Sequence, residues 1–88
     1  MTIDEAKKII ESTNGEATVD MYQKYKNCIA RGLLILEKYT NCIDIDIGLE
    51  HDQIFAGEFN SDITPEDVRE LGLHGWFLSS ETDGWSHF

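Results

Sequence analysis

Five side chains that can ligate a cation or exchange protons are concentrated within nine residues of the chain. They share oxygen or nitrogen donor atoms and are Asp44, Asp46, Glu50, His51 and Asp52. A calcium-binding loop is excluded, because isoleucine and leucine stand between the acids and such a loop would expose them to water. The alternation of apolar and acidic residues is instead typical of an extended strand.

Three interpretations of this acidic strand are open. Alternation places Asp44, Asp46 and Glu50 on one face at steps of about 6–7 Å, so a hard cation would need further ligands, with His51 as a candidate. Neighbouring carboxylates also shift each other's pKa and can act as a general acid and base. The third interpretation, which we adopt, is a solvated or partner-contacting face with no metal ion, cofactor or catalytic residue.

Elsewhere the chain lacks the residue patterns of common catalytic sites. His51, His74 and His87 are dispersed without metal-ligand spacing, and the first two are expected to be polar surface. No serine has the Gly-x-Ser-x-Gly surroundings of a nucleophile elbow, and no glycine-rich loop precedes a helix to bind phosphate. We therefore predict a protein that is not an enzyme.

The charge of the chain is unevenly distributed. Residues 1–42 contain six acids and six bases, whereas residues 43–88 contain eleven acids and one base, so the second half carries the whole net charge of −10. Such a surface repels phosphates, which argues against direct nucleic-acid binding. Its natural complement is a basic protein surface, and the simpler alternative is that the acids only keep the protein in solution.

Length and composition limit the class of protein. The 88 residues, 41% of them hydrophobic, are enough for one folded domain, which we assign to residues 1–88. No apolar run approaches the roughly 20 residues of a membrane span, and the N-terminus lacks the layout of a signal peptide. We therefore expect a cytoplasmic protein with Cys28 and Cys42 as reduced thiols.

Two helices are predicted in the N-terminal half. The first covers about Ile3–Thr13 and begins with a capping box, in which Thr2 is the cap and Glu5 stands three residues on. The second covers about Val19–Tyr39 and carries a wide apolar stripe that implies burial. The stripe repeats at steps of three or four residues and consists of Tyr22, Tyr25, Ile29, Leu33, Leu36 and Tyr39.

A β-hairpin is predicted after the second helix. Ile43–Glu50 forms its first strand, His51-Asp52 the turn and Gln53–Phe59 the returning strand. A two-residue turn sets the register of the strands. The expected pairs, the first two on the buried face, are Leu49 with Ile54, Ile47 with Ala56, and Gly48 with Phe55.

A third, short helix is predicted after residue 63. Thr64 is its N-cap, Pro65 takes the first helical position, and two acids follow at the positive end of the helix dipole. The helix is expected to run to about Leu71 and to end in the glycines Gly72 and Gly75.

The last segment predicts a second hairpin. Trp76–Glu81 and Trp85–Phe88 are the strands, and Thr82-Asp83-Gly84 contains the turn. The element order is therefore ααββαββ, and the predicted fold class is α+β, with a four-stranded antiparallel sheet and helices packed mainly on one face.

The C-terminal half resembles small acidic proteins encoded by phages and prophages. The likeness covers about residues 43–88 and depends on Glu50–Gly57, Thr64–Asp67, Gly75–Phe77 and Gly84–Phe88. Proteins of this kind include inhibitors of host defence, such as anti-CRISPR proteins and DNA mimics. The resemblance implies a stoichiometric binder in the host cytoplasm, and it carries no functional residue over to this chain.

We interpret the acidic half as a protein-binding surface. The expected partner is a basic, nucleic-acid-binding host protein, on which carboxylates stand in for phosphates and an exposed aromatic side chain acts as the anchor. Neither nucleic acid nor a membrane is expected to bind directly. The candidate contact residues are Asp44, Asp46, Glu50, Asp52, Glu58, Glu81, Asp83 and Trp85.

Two other functions are open. The first is a small-molecule or metal binder that uses Asp44, Asp46, Glu50 and His51. The second is a structural phage protein that forms homodimers or larger homo-oligomers through its terminal aromatic residues.

Overall fold

Two helices, a pair of strands, a third helix and a second pair of strands follow one another in the described parts of this chain, as expected for an α+β fold. The structure is a computed structural model that describes residues 1–14, 28–40, 47–50, 53–79 and 84–87. The elements within those ranges are α1 (Ile3–Asn14), α2 (Cys28–Leu36), a 3-10 helix (Glu37–Tyr39), β1 (Ile47–Glu50), β2 (Gln53–Glu58), α3 (Pro65–Leu73), β3 (Phe77–Leu78) and β4 (Gly84–His87). All strand pairs are antiparallel and the sheet order is β1-β2-β4-β3. The predicted fold class and element order are confirmed.

The N-terminus of α1 is stabilised by the predicted capping box. The Thr2 hydroxyl accepts a hydrogen bond from the Glu5 backbone N–H at 3.2 Å, and Glu5 Oε1 accepts from the Thr2 N–H at 3.0 Å. Two backbone donors that have no partner within the helix are thereby satisfied. Glu5 Oε1 also accepts from the Thr2 hydroxyl, and the two bonds that this carboxylate accepts hold the pKa of Glu5 below its ordinary value.

Helix α2 is described only from Cys28 onward. The predicted beginning at Val19, with Tyr22 and Tyr25 of the apolar stripe, lies outside the described residues. Within α2, Leu36 is buried, whereas Ile29 is 38% exposed, so the predicted burial of the stripe fails at Ile29.

The first hairpin has the predicted register. Ile47 pairs with Ala56, Gly48 with Phe55 and Leu49 with Ile54. The predicted burial of Leu49 is wrong, because this side chain is 77% exposed. Among the described strands β1 lies at one edge of the sheet, whereas α1 contacts β3 at the opposite edge.

An irregularity in β2 changes the direction of the chain before the next helix. Gly57 has a φ of 85°, which side chains with a Cβ rarely adopt. The pairing of β2 with β4 shifts register between Phe55 and Glu58, as in a β-bulge.

Helix α3 begins as predicted and ends later than predicted. The Thr64 hydroxyl accepts a hydrogen bond from the Asp67 N–H at 3.2 Å, and Pro65 is the first helical residue. The helix continues to Leu73, so Gly72 lies inside it and does not end it. Leu73 is the last helical residue and His74 is the C-cap. Gly75 follows in the left-handed conformation, with a φ of 86°.

The core lies between the sheet and the helices, and two glycines permit its closest contacts. A Cβ on Gly72 of α3 would overlap Thr13 Oγ1 of α1, and a Cβ on Gly32 of α2 would lie 2.5 Å from two atoms of the Trp76 ring. Both contacts bring backbone against a buried side chain. The buried apolar residues are Ala6, Ile10, Leu36, Ala56, Ile63, Val68, Leu71, Trp76, Leu78 and Trp85.

Candidate functional site

The structure describes three of the eight predicted contact residues. Glu58 is exposed at the end of β2, Trp85 lies in β4, and Glu50 is described only as a backbone position in β1. The other five predicted contacts lie outside the described residues, together with His51, and they are Asp44, Asp46, Asp52, Glu81 and Asp83.

Trp85 is placed differently from the exposed anchor that we expected. Its side chain is 1% exposed and belongs to the core. Pairing with Leu78 in β3 turns both side chains to the same buried face of the sheet, which excludes Trp85 as a projecting anchor. Trp76 is equally buried, so these two indoles form core and not surface.

The described surface contains a groove of about 1050 Å³. Its lining includes residues 38–40, which contain the last two residues of the 3-10 helix, and residues 57–62. Its lining also includes four buried apolar side chains, which form its floor. They are Leu36, Ala56, Ile63 and Trp85.

Two carboxylates and one ammonium group line the rim of this groove. Glu58 and Asp62 are exposed, and we call this pair the acidic rim. Lys38 also lines the groove and forms a salt bridge with Asp67 of α3, with its Nζ 2.8 Å from Asp67 Oδ2. The positive charge is thereby paired, and the described lining keeps a charge of −2 from the acidic rim.

Asp67 connects the 3-10 helix to the beginning of α3. Its Oδ2 accepts hydrogen bonds from Lys38 Nζ and from the Tyr39 hydroxyl. Burial alone would raise the pKa of Asp67, but the bonds from Lys38 and Tyr39 outweigh it and hold that pKa below its ordinary 3.8. The carboxylate therefore stays ionised, and Tyr39 is fixed at the edge of the groove.

Hydrogen bonds also order the loop that carries Asp62. Asn60 Oδ1 accepts from the Asp62 N–H at 2.8 Å, and Asn60 Nδ2 donates to the Tyr39 carbonyl at 3.1 Å. The Ser61 carbonyl accepts from the amino group of Met1 at 2.9 Å. These contacts position the Asp62 backbone while the side chain remains at the surface.

The outer face of α3 continues the acidic surface. Glu66 and Glu70 are exposed one turn apart, and Arg69 is the single base among residues 53–79. Our sequence interpretation missed Asp62, Glu66 and Glu70 as contact candidates. Their charges were in the count of eleven acids, but the helix-start pattern accounted for Glu66 and no strand alternation pointed to the others.

His74 is buried, in contrast to the polar surface expected from its place beside a turn. It is 3% exposed, and burial lowers its pKa below the ordinary 6.5. His87 Nε2 donates to the His74 carbonyl at 2.9 Å, and the His87 ring meets Trp76 edge-on with centroids 5.2 Å apart. Both histidines therefore have structural partners at the C-terminal end of α3.

Among the described residues, no group of three acids, histidines or cysteines is arranged to hold a metal ion. The proposed ligands at 44, 46, 50 and 51 lie outside that search.

None of the described helices is both long enough and apolar enough to cross a lipid bilayer.

Comparison with known proteins gives no relative for this chain. No protein family model, no curated protein and no solved structure matches it.

Proposed function

We propose that this protein is a non-enzymatic inhibitor of the phage-encoded type, which binds a basic, nucleic-acid-binding host protein in the cytoplasm. The observation that carries the proposal is the exposure of the acids in its C-terminal half. Between residues 53 and 79 there are five acids and one base, and four of the acids lie at the surface. These four are Glu58, Asp62, Glu66 and Glu70.

The proposed mechanism is occlusion of a nucleic-acid site by charge mimicry. Carboxylates on a folded surface occupy lysine and arginine side chains that otherwise contact phosphates. Charge complementarity of this kind raises the association rate and is screened by salt, with a Debye length of about 10 Å at 0.1 M. Inhibition is therefore expected to be stoichiometric, competitive with nucleic acid and weaker at high ionic strength.

The test is a binding assay against purified nucleic-acid-binding host proteins, immobilised and probed with the full chain. We expect binding at about 50 mM salt that falls at least about tenfold by about 300 mM. Duplex DNA should compete for the same surface. Binding that is indifferent to salt and DNA, or absent across the panel, would contradict the proposal.

A second candidate function is self-association through β1. Leu49 is 77% exposed on this strand, which is an edge of the sheet as far as the described strands extend. Exposed edge strands readily pair with another chain. Light scattering of the wild type and of Leu49→Lys should then show a dimer that the substitution dissociates, whereas a monomeric wild type removes this candidate.

A further inference from the structure

We infer that the groove between the 3-10 helix and residues 57–62 seats an arginine side chain from the partner protein. The inference deepens the proposed function and rests on it, because it names the group that the acidic surface receives. It narrows the proposed contact from the whole acidic surface to this one groove.

The first support is the combination of an apolar floor and an anionic rim. Leu36, Ala56 and Ile63 line the groove as almost fully buried side chains and place no ionisable group at its floor. The acidic rim of Glu58 and Asp62 stands at the mouth. Arginine is chemically suited to this combination, since its three methylenes can cover the uncharged floor while the guanidinium reaches the carboxylates.

The second support is the charge balance of the rim. Lys38 is the one base among the described lining residues, and its ammonium group is paired with Asp67 outside the groove. An entering cation therefore meets two carboxylates without displacing an internal ion pair. An entering phosphate would meet the same two carboxylates and be repelled, which favours a protein side chain over a nucleic acid.

The third support is aromatic surface at the edges of the groove. Tyr39 and Phe59 line it, are half-buried and contact the core. Tyr39 is held by its hydroxyl, which donates to Asp67, so its ring is already oriented before binding. A planar guanidinium stacks on aromatic rings and donates through several N–H groups, whereas the ammonium of lysine is a compact point charge.

The experiment measures binding of a hexa-arginine peptide to the full-length chain by calorimetry, with NMR to locate the contact. We expect the largest amide shifts between residues 56 and 63, and at least about fivefold weaker binding of hexa-lysine. The double variant Glu58→Gln with Asp62→Asn should weaken hexa-arginine binding by about tenfold or more. Ser61→Leu, which leaves the charge unchanged, adds no aromatic ring and narrows the groove, should weaken it as well.

Two matched double variants separate the groove from diffuse charge. Asp4→Asn with Glu11→Gln removes the same charge from exposed positions on α1 and should change binding by less than about twofold. Glu66→Gln with Glu70→Gln removes it from the outer face of α3 and should cost about two- to threefold. Circular dichroism of each variant verifies that it is folded.

The outcomes distinguish this inference from the function on which it rests. The arginine-binding groove is contradicted if the groove and α3 variants weaken hexa-arginine binding equally, or if amide shifts are spread over the whole acidic surface. The proposed binding to a basic host protein would be unaffected by either result. If a host protein binds in a salt-sensitive manner but hexa-arginine does not bind, the proposed function is supported and the arginine-binding groove is contradicted. If hexa-arginine binds in the groove but no host protein binds the chain, the proposed function is wrong and the arginine-binding groove is confirmed.

Discussion

At its N-terminal end α3 is joined to the molecule by side-chain hydrogen bonds and an ion pair, whereas at its C-terminal end close packing accompanies the hydrogen bond from His87 to the His74 carbonyl. The first end has Thr64 as a cap and Asp67 as the acceptor for Lys38 and Tyr39. The second end has Gly72 against Thr13. One short helix thus depends on two kinds of interaction.

The difference between the ends lies in how each responds to change. Hydrogen bonds to a carboxylate depend on its ionisation, and their geometry can adjust. Backbone packed against a buried side chain has no room to adjust, and even one added carbon is felt. The polar end borders the groove, so the part of α3 nearest the candidate site is its adjustable part.

The largest effect is expected from Gly72→Ala, which tests whether close packing holds the C-terminal end of α3. The new Cβ would overlap Thr13 Oγ1 and lie 3.1 Å from two other Thr13 atoms. Overpacking of this kind should lower the free energy of unfolding by about 2 kcal/mol, even after the better helix propensity of alanine is counted. Urea unfolding followed by circular dichroism measures the change.

Two further variants act as controls for the packed end. In the double variant Thr13→Ala with Gly72→Ala the clash is largely removed, so its stability should equal that of Thr13→Ala alone within about 0.5 kcal/mol. Gly48→Ala adds the same methyl group 3.9 Å from Phe55 Cβ, where there is room, and should be close to neutral. A simple sum of the two single effects would show that Gly72 and Thr13 do not limit each other.

A smaller effect is expected at the polar end from Tyr39→Phe. The substitution removes the hydroxyl that donates to Asp67 and keeps the ring. We expect a loss of about 1 kcal/mol in unfolding free energy, the usual contribution of a hydrogen bond to stability. A double-mutant cycle with Asp67→Asn should recover most of that loss as coupling, and a coupling near zero would remove the tie between the 3-10 helix and α3.

The smallest expected effect is the loss of unfolding free energy at low pH, which differs between the two ends of α3 because each contains a different titratable group. Burial lowers the pKa of His74 below 6.5, with Arg31 and His87 acting in the same direction and Glu70 against it. Stability from neutral His74 is present above pH 6.5 and is lost as the pH falls below it. Stability from ionised Asp67 is present above 3.8 and is lost only as the pH falls through its lowered pKa.

Urea midpoints measured from about pH 8 to about pH 2.5 should therefore fall in two steps. Asp67→Asn should reduce the lower step and leave the upper one. NMR titration of His74 should report a pKa below 6.5. A single acid step, or a His74 pKa at or above 6.5, would show that the packed end has no acid sensitivity of its own.

Features that depend on neighbours along the chain were predictable from the sequence. The capping box of Thr2 and Glu5 and the cap at Thr64 were predicted from residue types three positions apart. The hairpin register followed from strict alternation and a two-residue turn, which together permit one pairing. In each case the interacting groups are close in sequence.

Features that depend on position in the fold were not predictable in the same way. Leu49 has the alternation of a buried residue, but the order of strands places it at an edge. Trp85 is in an acidic, aromatic segment typical of a surface, yet pairing with β3 turns it into the core. The groove also escaped prediction, because it joins residues 36–40 to residues 56–63 and includes Trp85.

By itself the sequence determined the charge of the C-terminal half, the order of the elements and the local pairing within them, since these depend on residue types and short spacings. The tertiary structure alone decided which acids share a rim and which aromatic rings are buried. It also decided that Lys38 is neutralised by a residue 29 positions away. Burial and long-range ion pairs are properties of the packed molecule, and alternation along one strand does not contain them.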